Sequence, residues 1–168
     1  MKELIATAAL LLIAPALTSA QDAGHQYRGE GYLFIGEGTY PANPGLYGVS
    51  HVGGGGGVLL FKGLGVESEL GAMGRPGDGV GLFSVDPSYS LLPSRSKSKV
   101  VPFVEGGYTR AFGNWAFTYS ENLFNFGGGI HYWAFKRVGM RLEFRDYVDH
   151  GGFVTNHYPA LRIALALR

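Results

Sequence analysis

The sequence predicts an all-β protein, an eight-stranded antiparallel transmembrane β-barrel. Three observations indicate this fold. The chain starts like an exported protein and contains no cysteine. Turn residues divide the rest into eight segments in which large apolar residues tend to alternate with polar or small ones. Lysine is missing from the middle of every segment, which is unusual for a sheet that faces water.

Export is indicated by the first 20 residues. Lys2 precedes an apolar run from Leu4 to Leu17, and small residues follow up to Ala20. This order of charge, apolar core and small residues predicts a signal peptide over residues 1–20, cleaved after Ala20. Residues 21–168 then form one barrel domain.

Composition excludes several classes of protein. Without cysteine, no disulfide holds this exported chain together. No later apolar run reaches the length of a spanning helix, so the remaining chain crosses a bilayer as strands or not at all. The net charge of +1 gives no field that would attract nucleic acid.

Clusters of Gly, Pro, Asn and Ser mark the connections. Each segment between them is long enough to cross a bilayer when tilted. The even count suits an antiparallel barrel with both chain ends on one side. The predicted strands are 30–38, 48–61, 64–74, 80–92, 99–110, 122–135, 138–149 and 157–168.

The segment MRLEFRDYV shows the alternation most clearly. One face carries Met140, Leu142, Phe144 and Val148, and the other carries Arg141, Glu143, Arg145 and Tyr147. In the segment at 99–110, Glu105 shares its face with Val101 and Phe103, and in the first segment either face carries two large apolar residues.

Small residues and lysines indicate which face is wet. In several segments the polar face also carries Gly, Ala and Ser, which suits the narrow interior of an eight-stranded barrel. A soluble lipocalin-like barrel would instead fill its interior with the large residues. The charged face is therefore predicted to point inward and the apolar face towards lipid. The lysines after the signal peptide lie only in or beside connections at the end that holds both termini: Lys62, Lys97, Lys99 and Lys136.

Aromatic residues gather near both ends of the predicted strands, as in the two girdles of a membrane barrel. The predicted girdles contain Tyr40, Tyr47, Tyr108, Trp115, Phe117, Tyr119, Tyr147 and Tyr158 at one end, and Tyr89, Trp133 and Phe135 at the other.

Two stretches resemble the OmpA-like family of outer-membrane β-barrel domains. GGGIHYWAFKRVGMRLEFRDY, residues 127–147, is similar to a strand–turn–strand in which a Gly-rich strand leads into an Arg-x-Glu-x-Arg strand. HVGGGGGVLLFKGLGVESELG, residues 51–71, is similar to an early hairpin of that family. The resemblance implies a small eight-stranded outer-membrane barrel, and it implies no particular chemistry.

The inward charges form the candidate site, interpreted as a structural network that fills the lumen, because buried charges need partners. No catalytic residue, metal or cofactor is predicted. The network is predicted to contain Glu67, Glu69, Asp86, Glu105, His131, Arg141, Glu143, Arg145 and Arg162.

Weaker patterns leave alternatives open. Ser50-His51 and His157-Tyr158 are the candidates for a hydrolase site. The side chains of Asp146, Asp149, His150 and His157 are the candidates for a metal site on the last outer connection. GGGGG at 53–57 lacks the Lys-Ser/Thr and the helix of a phosphate loop, so it is interpreted as a strand that makes room for bulky lumenal residues from across the barrel.

The predicted function is structural or surface-interacting, in the cell outer membrane, with no open pore, because such pores need about 16 strands. The expected partners are outer-membrane lipid and lipopolysaccharide, with a possible surface partner at the outer connections, and the expected state is a monomer. The alternatives are a lipid-modifying hydrolase resembling a lipid A deacylase and a soluble exported lipocalin-like barrel that binds a ligand.

Overall fold

The computed structural model describes residues 29–42, 45–75, 77–92, 98–113, 119–151 and 154–168. Neighbouring strands pair antiparallel, and β1 also pairs with β8, which closes the barrel. The predicted fold, with its strand number and order, is confirmed. The strands are β1 (Gly29–Ala42), β2 (Gly45–Phe61), β3 (Leu64–Arg75), β4 (Asp78–Ser90), β5 (Val100–Gly113), β6 (Tyr119–Tyr132), β7 (Val138–Gly151) and β8 (Val154–Leu167).

The predicted signal peptide, residues 1–20, lies outside the described residues and stays a prediction. Within the described ranges, no helix is long and apolar enough to span a membrane.

The barrel has two ends, which are named here by their connections. The terminal end contains the start of β1, the end of β8 and the connections β2–β3, β4–β5 and β6–β7. The far end contains the connections β1–β2, β3–β4, β5–β6 and β7–β8. At the terminal end, Lys62 and Gly63 have φ values of 46° and 91°, the positive angles that a two-residue type I′ hairpin turn requires.

The strand boundaries differ from prediction mainly at these ends. At the far end β1 continues past the predicted residue 38 to Ala42, and β6 starts at Tyr119 rather than 122. At the terminal end β6 stops at Tyr132 rather than 135, because the backbone N–H of Phe135 turns to donate to the Val138 carbonyl at 3.0 Å.

The two faces of the sheet have the predicted orientation, and β1 follows the same rule. Leu33 and Ile35 are 56% and 63% exposed on the outside, whereas Tyr32 and Phe34 are 4% and 5% exposed inside. The interior buries most of the charged strand residues. The outer surface carries most of the large apolar residues, among them Val52, Val58, Leu70, Phe83, Val85, Val104, Phe124, Phe126, Ile130, Leu142, Phe144, Leu161, Ile163 and Leu165.

The glycines of β2 explain how two aromatic rings fit inside. A Cβ atom on Gly53 would lie 2.6 Å from the Phe34 ring, and one on Gly55 would lie 3.0 Å from the Tyr32 ring. A Cβ atom on Gly57 would lie 2.6 Å from Cγ of Glu67. GGGGG is therefore a strand that makes room for lumenal side chains, as predicted, but these side chains come from the neighbouring strands β1 and β3 and not from across the barrel.

Part of the predicted girdles is wrong. Trp133, Tyr147 and Tyr158 are buried, with exposures of 6%, 1% and 7%. The prediction used their position near strand ends, but alternation decides the direction, as Tyr147 shares the face of buried Arg145. Exposed aromatic residues do occur near both ends: Tyr40, Tyr47 and Tyr108 at the far end, and Tyr89 and Phe135 at the terminal end.

Some of the predicted girdle and lysine positions lie outside the described residues. Trp115, Phe117 and Lys97 lie outside the described residues, as does the side chain of Tyr119. The other three lysines lie at the terminal end: Lys62, Lys99 and Lys136.

Candidate functional site

Arg141 forms the part of the lumenal network that is nearest the terminal end. Its side chain is 1% exposed. Its Nη1 lies 2.6 Å from Glu67, its Nη2 lies 2.6 Å from Glu105, and its Nε lies 2.8 Å from Glu143. Three strands therefore supply carboxylates to one guanidinium. Because a guanidinium holds its donors in a fixed plane, these contacts fix the orientation of the side chain.

Arg145 makes more hydrogen bonds than Arg141 or Arg162. It is fully buried and contacts Glu69 and Asp86 through Nη1, both at 2.9 Å. Its Nη2 lies 2.5 Å from Glu105, and its Nε lies 2.8 Å from Glu143. Arg145 thus joins four carboxylates from β3, β4, β5 and β7 in the centre of the lumen.

Arg162 completes the network from β8. It donates to both carboxylate oxygens of Glu69 at 2.9 Å and to Glu143, the residue opposite it on β7. Its Nη1 also lies 3.3 Å from the Tyr147 hydroxyl. Eight of the nine residues predicted for the network meet in this way.

His131, the ninth, lies beside the network. It is buried, and its Nδ1 lies 3.5 Å from Glu30, which is itself 3.8 Å from Arg141. The His131 ring packs edge-on against Phe103 at 4.7 Å. Sequence reasoning missed Glu30, although alternation places it on the same inward face as Tyr32 and Phe34.

Further lumenal groups were missed by sequence reasoning. The Tyr32 hydroxyl lies 2.9 Å from Glu67 and 2.7 Å from Glu69. Asn125 donates through Nδ2 to Asp86 at 2.7 Å and to Thr109 at 2.9 Å. These residue types are common in any strand, so only the cross-strand register reveals them.

Aromatic rings cover the faces of two guanidinium groups. Arg141 lies between Tyr32 and Phe103, at 4.6 and 4.2 Å from the ring centroids, and Arg162 lies 4.2 Å from the Phe34 centroid. Cation–π attraction is stronger away from water, so the rings stabilise the charges that the carboxylates already pair.

Two clusters of buried apolar residues also line the lumen. The far-end cluster is formed by residues near the far end of their strands, and the terminal-end cluster is formed by Tyr32, Phe34, Trp133, Ala164 and Ala166. The terminal-end cluster interleaves with the charges, because the Tyr32 hydroxyl contacts Glu67 and Glu69. The far-end cluster comprises Val49, Met73, Leu82, Ala111, Leu123, Tyr147 and Tyr158.

The Ser50-His51 pair does not form a hydrolase site. The Ser50 hydroxyl points outward and donates to Glu37 at 3.0 Å. His51 points inward, is 2% exposed, and packs edge-on against Tyr147 at 5.5 Å. Consecutive strand residues face opposite sides, so this pair cannot act on one substrate.

The residues of the metal-site alternative are likewise not brought together. Asp146 and His157 face outward near the far end, with 2.6 Å between Oδ2 and Nδ1. Asp149 alternates to the opposite face, and the side chain of His150 lies outside the described residues. Among the described residues, no group of three or more His, Cys, Asp or Glu side chains could hold a metal ion.

Arg110 lies on the outward face at the far end of β5. Its guanidinium donates to Oδ1 of Asn122 and, at 2.5 Å, to the Ser120 hydroxyl. The Tyr108 hydroxyl donates to the same Asn122 oxygen at 2.6 Å. Sequence reasoning missed this outward polar cluster, because its partners come from the neighbouring strand β6.

Comparisons with known proteins agree with the barrel and go no further than the fold. No protein-family model matches the chain, and no curated protein matches it. The N-terminal β-barrel domain of Pseudomonas aeruginosa OprF is similar in structure, with a TM-score of 0.61, 14% identity, and coverage of 83% of this chain and 97% of that one. Neisserial surface protein A has a TM-score of 0.59, 11% identity, and coverage of 83% and 94%.

A designed protein shows how little the fold says about activity. A structure described as a de novo designed transmembrane β-barrel has a TM-score of 0.58 and 14% identity, and the match covers 88% of this chain and 97% of the designed chain. Fold does not imply function. The resemblance to OmpA-like barrels is therefore confirmed at the level of fold: the chain has the architecture of the small eight-stranded outer-membrane barrels.

Proposed function

We propose that this chain is an integral protein of the cell outer membrane with a structural or surface-interaction role, without an open pore and without catalysis. The observation that supports it best is the inversion of the two faces. The charged side chains of the lumenal network are buried inside and paired, while large apolar side chains cover the outside. Water favours the reverse arrangement, and lipid favours this one.

The inversion of the two faces also argues against the soluble lipocalin-like alternative. That alternative places Phe124, Phe126 and Ile130 inside a ligand cavity. All three lie on the outer face, with exposures of 68%, 52% and 40%. The described interior holds the ion network and the two apolar clusters instead.

The paired charges in the lumen support a role without ion conduction. An ion crossing the barrel would have to separate Arg141, Arg145 and Arg162 from their buried carboxylate partners. This separation is costly, because the loss of one partner from a buried ion pair costs about 3–5 kcal/mol.

The partners follow from the outer surface. The apolar belt contacts membrane lipid, and the far end, with its exposed Tyr40, Tyr47 and Leu46, faces lipopolysaccharide and any surface partner. A closed barrel has no unpaired edge strand that would recruit a second copy, so we propose a monomer.

The absence of cysteine makes the orientation directly testable. Asp78→Cys places one thiol at the exposed far end, and Lys136→Cys places one at the exposed terminal end. A membrane-impermeant maleimide should label Asp78→Cys on intact cells and label Lys136→Cys only after the outer membrane is permeabilised. Equal labelling of the two variants in a soluble fraction would contradict the proposal.

A further inference from the structure

Arg110 differs from the arginines of the lumen in its partners. Arg141, Arg145 and Arg162 each contact at least two carboxylates. Arg110 contacts only neutral groups among the described residues, the Asn122 amide oxygen and the Ser120 hydroxyl. The unmatched guanidinium charge is therefore held in place without a counter-ion from the described strands.

The connection next to Arg110 supplies no counter-ion in its sequence either. Residues 114–118, NWAFT, contain no aspartate or glutamate. Glu121 follows soon after, but it alternates with the outward Ser120 and Asn122 and belongs to the lumenal face. A ligand that supplies a negative charge would therefore complete the set of partners around Arg110.

The position of the cluster indicates where that charge comes from. Tyr108, Arg110 and Asn122 are on the same face as Val104 and Phe124, and they lie on the far-end side of these apolar residues. The cluster thus lies near the far-end edge of the apolar belt, with Phe112 as the outward apolar residue beyond it on β5. In a membrane this level is occupied by lipid headgroups, and the acyl chains lie against the belt below.

We propose that Arg110, oriented by Tyr108, Ser120 and Asn122, binds the phosphate group of an anionic membrane lipid whose acyl chains lie along β5 and β6. A guanidinium has five N–H donors, more than its two neutral partners require. Phosphate oxygens fit this planar fork in a bidentate manner, and such charge-assisted bonds are the strong ones. The inference rests on the proposed membrane location and names a ligand for it.

Native mass spectrometry of the full barrel released from mixed micelles tests the site. The probes are phosphatidic acid, a diacylglycerol with the same chains, and inorganic phosphate. The wild-type barrel should retain phosphatidic acid in preference to diacylglycerol, and Arg110→Gln should reduce that retention by roughly tenfold. Arg137→Gln, which removes an exposed cation at the terminal end, is the matched control and should retain the lipid.

Three results would overturn the proposal: equal retention by Arg110→Gln and Arg137→Gln, equal retention of diacylglycerol, or retention of inorganic phosphate as strong as that of the lipid. The gel mobility of each unboiled variant, compared with the boiled chain, reports separately whether the barrel is folded. A folded barrel without lipid preference would refute the phosphate site and leave the proposed function standing.

Discussion

Phe144→Arg should prevent stable membrane insertion. Phe144 lies on the outer face in the middle of β7 and is half-exposed. Its neighbours on the same face of the strand are Leu142 and Asp146. An arginine on the lipid face near the midplane costs about 2–4 kcal/mol, a large part of the stability of a small barrel. The folded fraction in lipid vesicles, read as the cold-gel band, should fall strongly.

Two matched changes make this result specific. Phe144→Ile keeps an apolar group at the same position and should insert normally. Asp78→Arg adds an arginine at the exposed far end and should also insert. If Phe144→Arg inserts as well as Asp78→Arg, the outer face of β7 does not contact lipid.

Arg145→Leu should destabilise the barrel by removing the centre of the lumenal network. The substitution leaves Glu69, Asp86, Glu105 and Glu143 without one of their cationic partners in a buried space. Removal of one partner from a buried ion pair costs about 3–5 kcal/mol. Urea unfolding in vesicles should show a lower midpoint than for the wild-type chain.

The control substitutions separate charge from geometry. Arg145→Lys keeps the positive charge but loses the planar fork, so its midpoint should lie between those of Arg145→Leu and wild type. Arg137→Leu removes an exposed arginine and should have little effect. A wild-type midpoint for Arg145→Leu would mean that the network does not stabilise the barrel.

Sequence reasoning predicted the fold because alternation is a local property. The direction of Arg141, Glu143 and Arg145 could be deduced from their neighbours, once the small residues and lysines had indicated which face was wet. The same rule placed Tyr147 on the charged face, where the structure has it. The error of including Tyr147 in the outer girdle came from its position near a strand end.

The partners within the lumen could not be predicted in the same way. Arg145 and Glu69 are 76 positions apart in the sequence and meet only because the barrel closes. The direction of β1 depended on Gly53 and Gly55 of the next strand, which leave space for two rings. The Arg110 cluster depended on the register between β5 and β6. Each of these features is set by pairing between strands.

The most direct test of the central claim is the gel mobility of the outer-membrane fraction, compared between boiled and unboiled samples in detergent. A closed barrel with a paired lumenal network should stay folded in cold detergent, because each of its eight strands pairs with two neighbours. We predict a band in the outer-membrane fraction that changes mobility on boiling. A protein that is found in the soluble fraction and shows no shift would contradict the assignment of the apolar face to lipid.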